Sequence, residues 1–173
     1  VSANSGNTTL LLGSSVTVAS ASIDVSQTMS ANGSNTLTIT GTGTPFTASG
    51  SFGIFSPSTG AVVFTGNGPT NIPTLDYYDL KIQPSGNSIT HTFQSGTASV
   101  SKTFTVGNGT NTGVIITADT NNSGLDVASV SISANTTLVA DSSGEFTISR
   151  HFTNDGSFTH SSGTVTFEGP NTS

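Results

Sequence analysis

The sequence predicts an all-β protein, and three observations indicate a β-solenoid. Apolar and polar residues alternate with a period of two in many short runs, as they do in half-buried strands. Gly, Asn, Ser and Pro bound these runs, and those residues are common in turns. Long segments also recur further along the chain, as is typical of repeat proteins. We therefore expect short strands that stack coil upon coil into a right-handed β-helix.

The alternating runs supply the predicted strands and the predicted core. No apolar pattern keeps a helical period of 3.6 for three turns, so helices are not expected. Thr and Ser dominate the alternate positions, where hydroxyl groups can line up between neighbouring coils. The apolar residues expected to face the interior are Leu37, Ile39, Phe64, Leu80, Ile82, Phe104, Ile132, Phe146, Ile148 and Phe167.

An internal duplication divides the chain into two copies. The segment from Ala21 to Thr40 aligns with the segment from Ala128 to Ser149, and two further matches follow in the same order. We assign residues 1–69 to a partial first copy and residues 70–173 to a second, nearly full-length repeat unit, within one continuous β structure. At roughly twenty residues per coil, one repeat would span about five coils.

A pair of tandem immunoglobulin-like β-sandwiches is the alternative fold, because such modules have a similar length. The solenoid is favoured because the strands are short and the turns frequent. The chain also has neither Trp nor Cys, so the hallmark core of an antibody-type sandwich is missing.

Composition excludes several classes of partner. The 173 residues include only three Lys and Arg against nine Asp and Glu, for a formal net charge of −6. Phosphate binding draws on several basic side chains, so neither nucleic acid nor anionic lipid is an expected partner. No apolar run is long enough to span a bilayer. The chain begins at Val1, and we interpret it as a mature or excised segment of an extracellular protein.

Three motifs carry a resemblance to known proteins. The segments SSGTVTFEG (Ser161–Gly169), LDYYDLKI (Leu75–Ile82) and FTNDGSF (Phe152–Phe158) resemble repeats of large bacterial extracellular β-helical surface proteins, the filamentous-haemagglutinin-like and autotransporter-like adhesins. The resemblance implies a right-handed β-helix, secretion, and an adhesive or fibre-forming role. The chain departs from the pattern in having Phe152 where Trp is common and Asp79 where Asn is common.

One segment has the ligand spacing of a calcium loop. Asp119, Asn121 and Ser123 provide oxygen ligands at positions one, three and five, a glycine follows at position six, and Asp126 lies two residues later. Position twelve is Val130, whereas a calcium loop would have a bidentate Glu there. Ordinary turns use the same residue types. The sequence predicts calcium as the one candidate metal and no other cofactor.

Candidate catalytic residues are few, and we expect no enzymatic activity. His91 lies on the apolar face of its strand and is interpreted as a structural histidine whose hydrogen bonds are satisfied, like His151 and His160; no GxSxG motif accompanies them. Paired carboxylates could hydrolyse glycosides. The pairs considered are Asp76 with Asp79 and Glu145 with Glu168, although Asp79 is expected to form a surface ion pair with Lys81.

Adjacent tyrosines provide the main aromatic candidate for sugar binding. Because side chains alternate along a strand, Tyr78 is expected in the core with Leu80, and Tyr77 is expected on the surface.

These observations lead to an expected function. We expect a structural or adhesive segment of a secreted cell-surface fibre, filament or surface layer that assembles by strand exchange between protomers. The partners would be other copies of the chain, flanking repeats or glycans. The alternative is a carbohydrate- or receptor-binding module of a surface or phage-like fibre.

Overall fold

The computed structural model describes residues 2–3, 9–48 and 53–169. Within them the chain forms nineteen strands and a one-turn 3-10 helix at Asp119–Asn121. The strands are β1 (Ser2–Ala3), β2 (Thr9–Leu11), β3 (Val16–Val18), β4 (Ala21–Ile23), β5 (Thr28–Ser30), β6 (Thr36–Ile39), β7 (Phe46–Ala48), β8 (Ile54–Ser56), β9 (Ala61–Phe64), β10 (Thr70–Ile72), β11 (Asp76–Ile82), β12 (Thr90–Phe93), β13 (Gly96–Val106), β14 (Val114–Thr117), β15 (Ser123–Ile132), β16 (Thr136–Val139), β17 (Glu145–Asn154), β18 (Ser157–Thr159) and β19 (Thr164–Phe167).

The described strands build four parallel sheets, which form three faces around one elongated core. Face A contains β1, β4 and β7, then β10, β12, β14, β16 and β18; an isolated parallel bridge from Gly43 to Thr70 joins the two groups. Face B contains β2, β5 and β8, the first halves of β11, β13, β15 and β17, and then β19. Face C contains β3, β6 and β9 and the second halves of the same four long strands. A register shift in each of these strands marks the corner between faces B and C.

This topology is a β-solenoid of about seven turns, which confirms the predicted fold class. Every described strand pairing is parallel, whereas a β-sandwich is built from antiparallel sheets. The alternative of tandem sandwiches is therefore wrong. The right-handed sense of coiling stays a prediction, which the strong preference of parallel crossover connections supports.

A continuous column of apolar side chains fills the interior. On face C, Leu37, Val62, Leu80, Phe104 and Val130 align in register on successive coils, and each is at most 2% exposed. Successive members of the column are 18 to 26 residues apart, for example 18 from Val62 to Leu80 and 26 from Phe104 to Val130. Full burial stabilises each of these side chains by about 1.5–3 kcal/mol.

Nine of the ten predicted core residues are buried, and Phe167 is the exception. It is 61% exposed because β19 is the last described strand of face B and no described strand lies beyond it. An inward-facing position in the alternating pattern was therefore not sufficient to bury the Phe167 side chain. A strand at the end of the stack has a neighbouring strand on one side only.

The sequence duplication is out of step with the coils. Residues 21–23 form β4 on face A, whereas their counterparts at 128–130 lie in β15 where its second half begins, on face C. Leu37 lies on face C, and its counterpart Phe146 lies on face B. The aligned segments are thus displaced by one face. All three faces demand the same inward–outward alternation, so one sequence can form any of them.

Asparagine side chains connect neighbouring coils at the turns. The Asn35 Nδ2 atom donates to the carbonyl of Leu12 at 2.7 Å, and the Asn121 Nδ2 atom donates to the carbonyl of Phe93 at 2.7 Å. Similar bonds run from Asn108, Asn111 and Asn135 to carbonyls 24 to 27 residues earlier. These amides satisfy turn carbonyls that the strand ladders leave unpaired.

Candidate functional site

A concave trough lies above the first half of β15. Its floor is recessed because two of the β15 residues that line it, Gly124 and Ala128, are small; Leu125 and Asp126 line it as well. The coils on either side carry larger side chains. Thr97 aligns with Gly124 on one side; on the other side Glu145 comes directly before Phe146, which aligns with Leu125. Strands lie about 4.8 Å apart, so these two walls are roughly 10 Å apart.

The trough comprises two cavities that share Asp126. The larger one, about 470 Å³, lies at the start of face B. The smaller one, about 220 Å³, lies at the corner between faces B and C. From Gly124 to Ala128 the floor is about 13 Å long, at roughly 3.3 Å per residue. The lining residues are Gly96, Thr97, Asn122, Gly124, Leu125, Asp126, Gly144, Glu145 and Thr147 in the first cavity and Ser99, Val100, Ser101, Asp126, Ala128, Ser149 and Arg150 in the second.

Of the predicted calcium residues, Asp126 lines this trough, and the polar groups of the other three bond to different partners. The Asp119 Oδ1 atom accepts a hydrogen bond from the Ser142 backbone N–H at 2.9 Å. Asn121 donates to the carbonyl of Phe93, and the buried Ser123 hydroxyl donates to the carbonyl of Gln94 at 2.6 Å. Asp126 is exposed on the floor of the trough. No cluster of three or more His, Cys, Asp or Glu suited to a metal occurs in the described ranges.

Calcium binding at these residues therefore stays a prediction. It is tested by the shift in melting temperature when calcium is added, compared between the wild-type chain and an Asp119→Asn variant. A calcium-dependent rise in the wild-type chain alone would support the site, because a ligand that binds only the folded state stabilises it.

The carboxylate pairs considered from the sequence do not converge. Glu145 aligns with Thr164 and its Oε1 atom accepts a bond from the Thr166 hydroxyl at 3.3 Å. Glu168 comes four residues after Thr164, which places it about 13 Å further along the strand direction. Asp76 is exposed, whereas Asp79 is only 8% exposed.

The predicted ion pair of Asp79 with Lys81 is wrong. The Asp79 Oδ2 atom lies 3.5 Å from the Nζ atom of Lys102, on the next coil. The other carboxylate oxygen, Oδ1, is buried and has no hydrogen-bond partner. The Lys102 ammonium also lies 5.7 Å from the centre of the Tyr78 ring. The register shift after Tyr77 turns Asp79 towards the next coil at this corner.

The same register shift reverses the predicted roles of the tyrosines. Tyr77 is fully buried, and its hydroxyl donates to the carbonyl of Pro73 at 2.7 Å. Burial raises the pKa of the Tyr77 hydroxyl well above its usual value. Tyr78 is only half-buried. Simple alternation from Leu80 back to Tyr78 fails because the strand bends between them.

His91 is the most unusual polar residue of the core. It is fully buried on face A, where it aligns with Thr70 on one coil and Ile116 on the next. Neither ring nitrogen has a hydrogen-bond partner, so burial is confirmed but the expected hydrogen bonds are missing. Burial lowers the pKa of the imidazole from 6.5 to about 4. His151 and His160 are exposed.

Comparison with known proteins assigns the chain to no family. No protein-family model matches the chain, and no curated protein or solved structure matches it. Among the described residues, no helix is long and apolar enough to cross a membrane.

Proposed function

We propose that this chain is a structural segment of an extracellular fibre, filament or surface layer that is built by end-to-end contact between copies. The supporting observation is that the parallel ladders and the apolar column continue to both outermost described coils. In a solenoid each coil stabilises its neighbours, so a stack can be extended without a new fold. In this proposal the chain is non-catalytic and lies outside the cell, as an adhesive or load-bearing element.

The last described coil presents apolar side chains that would suit another coil. Phe152, Phe158 and Phe167 form a partly exposed aromatic cluster, with ring centres 5.4 Å apart for the first pair and 5.8 Å apart for Phe152 and Phe167. Beside them, β18 and β19 have strand neighbours on one side only. Unpaired strand edges are ready templates for association.

The first described coil also presents apolar side chains that are not fully buried. Leu10 and Val16 point into the core but are only partly buried, whereas Met29 and Leu37, which align with them on the next coil, are fully buried. The strands of this coil run parallel to β18 and β19 on the corresponding faces. A second copy placed end-on would therefore add parallel strands to faces A and B. The surface that this copy presents to β18 and β19 would be its own first coil.

Assembly is tested by sedimentation velocity and negative-stain electron microscopy over a range of protein concentrations. We expect particles that lengthen with concentration but keep a constant width. A Phe167→Asp variant should remain monomeric, because it places a charge in the end contact. Ile54→Asp is the matched control, since Ile54 is 57% exposed on a side face. A wild-type chain that stays monomeric throughout, or a Phe167→Asp variant that assembles normally, would contradict the proposal.

The extracellular location is tested on the source cells. Antibodies against the folded chain should label intact cells as strongly as permeabilised ones. Labelling that requires permeabilisation would place the protein inside the cell and would exclude a surface function.

A further inference from the structure

We propose that the trough above β15 binds a short, uncharged stretch of an oligosaccharide chain. This inference goes beyond end-to-end assembly, since the trough lies on a side of the solenoid and leaves both end coils free. It is carried by the shape of the trough, the chemistry of its lining and the rigidity of the strands that form it.

The shape suits an elongated ligand that follows the strand direction. Gly124 leaves a gap in an otherwise continuous outward row, between Thr97 and Glu145. The φ angle of Gly124 is not in the left-handed region, so its backbone does not require glycine. What the glycine provides here is space. Asp126 and Ala128 extend the floor of the trough to the corner between faces B and C. The resulting length suits several linked sugar rings better than a compact ion.

The lining suits sugar hydroxyl groups. Carboxylate oxygens of Asp126 and Glu145 can accept hydrogen bonds, the Arg150 guanidinium can donate them, and the Thr97 and Thr147 hydroxyls can do both. The only large apolar residue on the floor of the first cavity is Leu125, which is 2% exposed. The exposed surface of the trough is therefore more polar than apolar.

The charge of the trough selects among sugars. Two carboxylates and one guanidinium leave a net negative charge, which opposes binding of uronic acids and sulfated sugars. Hydrogen bonds between a carboxylate and a neutral hydroxyl group are charge-assisted and stronger than neutral pairs. We therefore expect uncharged hexose or N-acetylhexosamine units.

The walls are held in place without the ligand. Thr97, Asp126 and Thr147 lie on strands that are hydrogen-bonded on both sides, and the spacing between coils is set by backbone ladders. Sites on regular strands hold their geometry better than sites on loops. Binding then costs little ordering of the protein, which matters for a ligand that forms mostly polar contacts.

The test is a titration of the full chain with three neutral hexasaccharides, cellohexaose, chitohexaose and mannohexaose, and with hexagalacturonate as the charged comparison. Binding is followed by calorimetry and by backbone amide shifts in NMR spectra. We expect at least one neutral hexasaccharide to bind, with shifts centred on Thr97, Asp126 and Thr147. Hexagalacturonate should bind at least tenfold more weakly, and mass spectrometry should recover the bound sugar uncleaved.

A Gly124→Thr variant locates the site. The added Cβ atom would lie 2.9 Å from the Thr97 hydroxyl, an exposed group that can rotate away, so we expect the fold to persist. The new side chain fills the gap and should weaken binding at least tenfold. Gly13→Thr is the matched control, because Gly13 is exposed and has no atom within 4 Å of an added Cβ. Asp126→Asn, a variant of similar size, should also weaken binding.

Four outcomes would overturn the proposal. They are no binding of any neutral hexasaccharide, tighter binding of hexagalacturonate, unchanged affinity in both Gly124→Thr and Asp126→Asn, and release of shortened sugars. Because assembly is measured separately at the end coils, failure of the sugar site leaves end-to-end association unaffected.

Discussion

The buried imidazole of His91 makes a quantitative prediction about acid stability. An unfolded chain protonates this histidine below pH 6.5, whereas the folded chain resists protonation until about pH 4, because its imidazole is desolvated. The folded state therefore binds fewer protons between these values. The contribution of His91 to the unfolding free energy should be fully present above pH 6.5 and should fall as the pH drops. Below about pH 4 this group should cause no further loss.

The size of the effect follows from the two pKa values. Lowering the pKa from 6.5 to about 4 corresponds to about 3 kcal/mol of unfolding free energy. Replacing His91 by Leu removes the titrating group and the two unpartnered nitrogens. At pH 7.5 we expect the variant to be as stable as the wild-type chain or more stable, because an unpaired buried polar group costs about 1–3 kcal/mol.

Urea unfolding followed by circular dichroism measures both quantities. Between pH 7.5 and pH 4 the wild-type chain should lose about 3 kcal/mol more than His91→Leu. The control variant is His160→Leu, since His160 is exposed, and it should keep the wild-type pH dependence. If His91→Leu and the wild-type chain lose the same stability on acidification, the buried imidazole does not titrate as argued.

Three further predictions concern the core and the corner between faces B and C. Lys102→Met should lower the unfolding free energy by about 1–3 kcal/mol, because it leaves the carboxylate of Asp79 buried without a partner. Lys81→Met should be near neutral. Equal effects of the two variants in thermal melts would contradict the observed pairing of Asp79 with Lys102. Leu80→Asp should unfold its coil and the coils beside it, and unchanged melting by circular dichroism would refute the stacked core. Tyr77→Phe should cost about 1 kcal/mol of unfolding free energy through the lost hydrogen bond. Because burial raises the folded-state pKa of this hydroxyl, the wild-type chain should lose stability above pH 10, and the variant should lose less. If both chains show the same stability profile at alkaline pH, ionisation of Tyr77 is not the cause of the loss.

The candidate surface was less predictable from the sequence than the fold was. Asp126 was considered as a calcium ligand, and Glu145 as half of a carboxylate pair with Glu168. The structure instead brings Asp126 and Glu145 to one trough, on neighbouring coils. They are 19 residues apart in the chain, close to one coil, but coil lengths vary too much for the sequence to fix this pairing. The role of Gly124 as a gap needed the register between three coils.

The period-two alternation, by itself, determined the strands, the absence of regular α-helix in the described residues and nearly all of the buried column. Inward positions such as Leu37 and Phe104 depend only on local alternation, since any of the three faces imposes the same pattern. Tertiary structure alone decided which coil lies beside which. It therefore decided that Asp79 pairs with Lys102, that Tyr77 is buried while Phe167 is exposed, and that the duplicated segments occupy different faces. Coil lengths vary from 18 to 27 residues and the long strands bend at their register shifts, so lateral neighbours cannot be counted from the sequence.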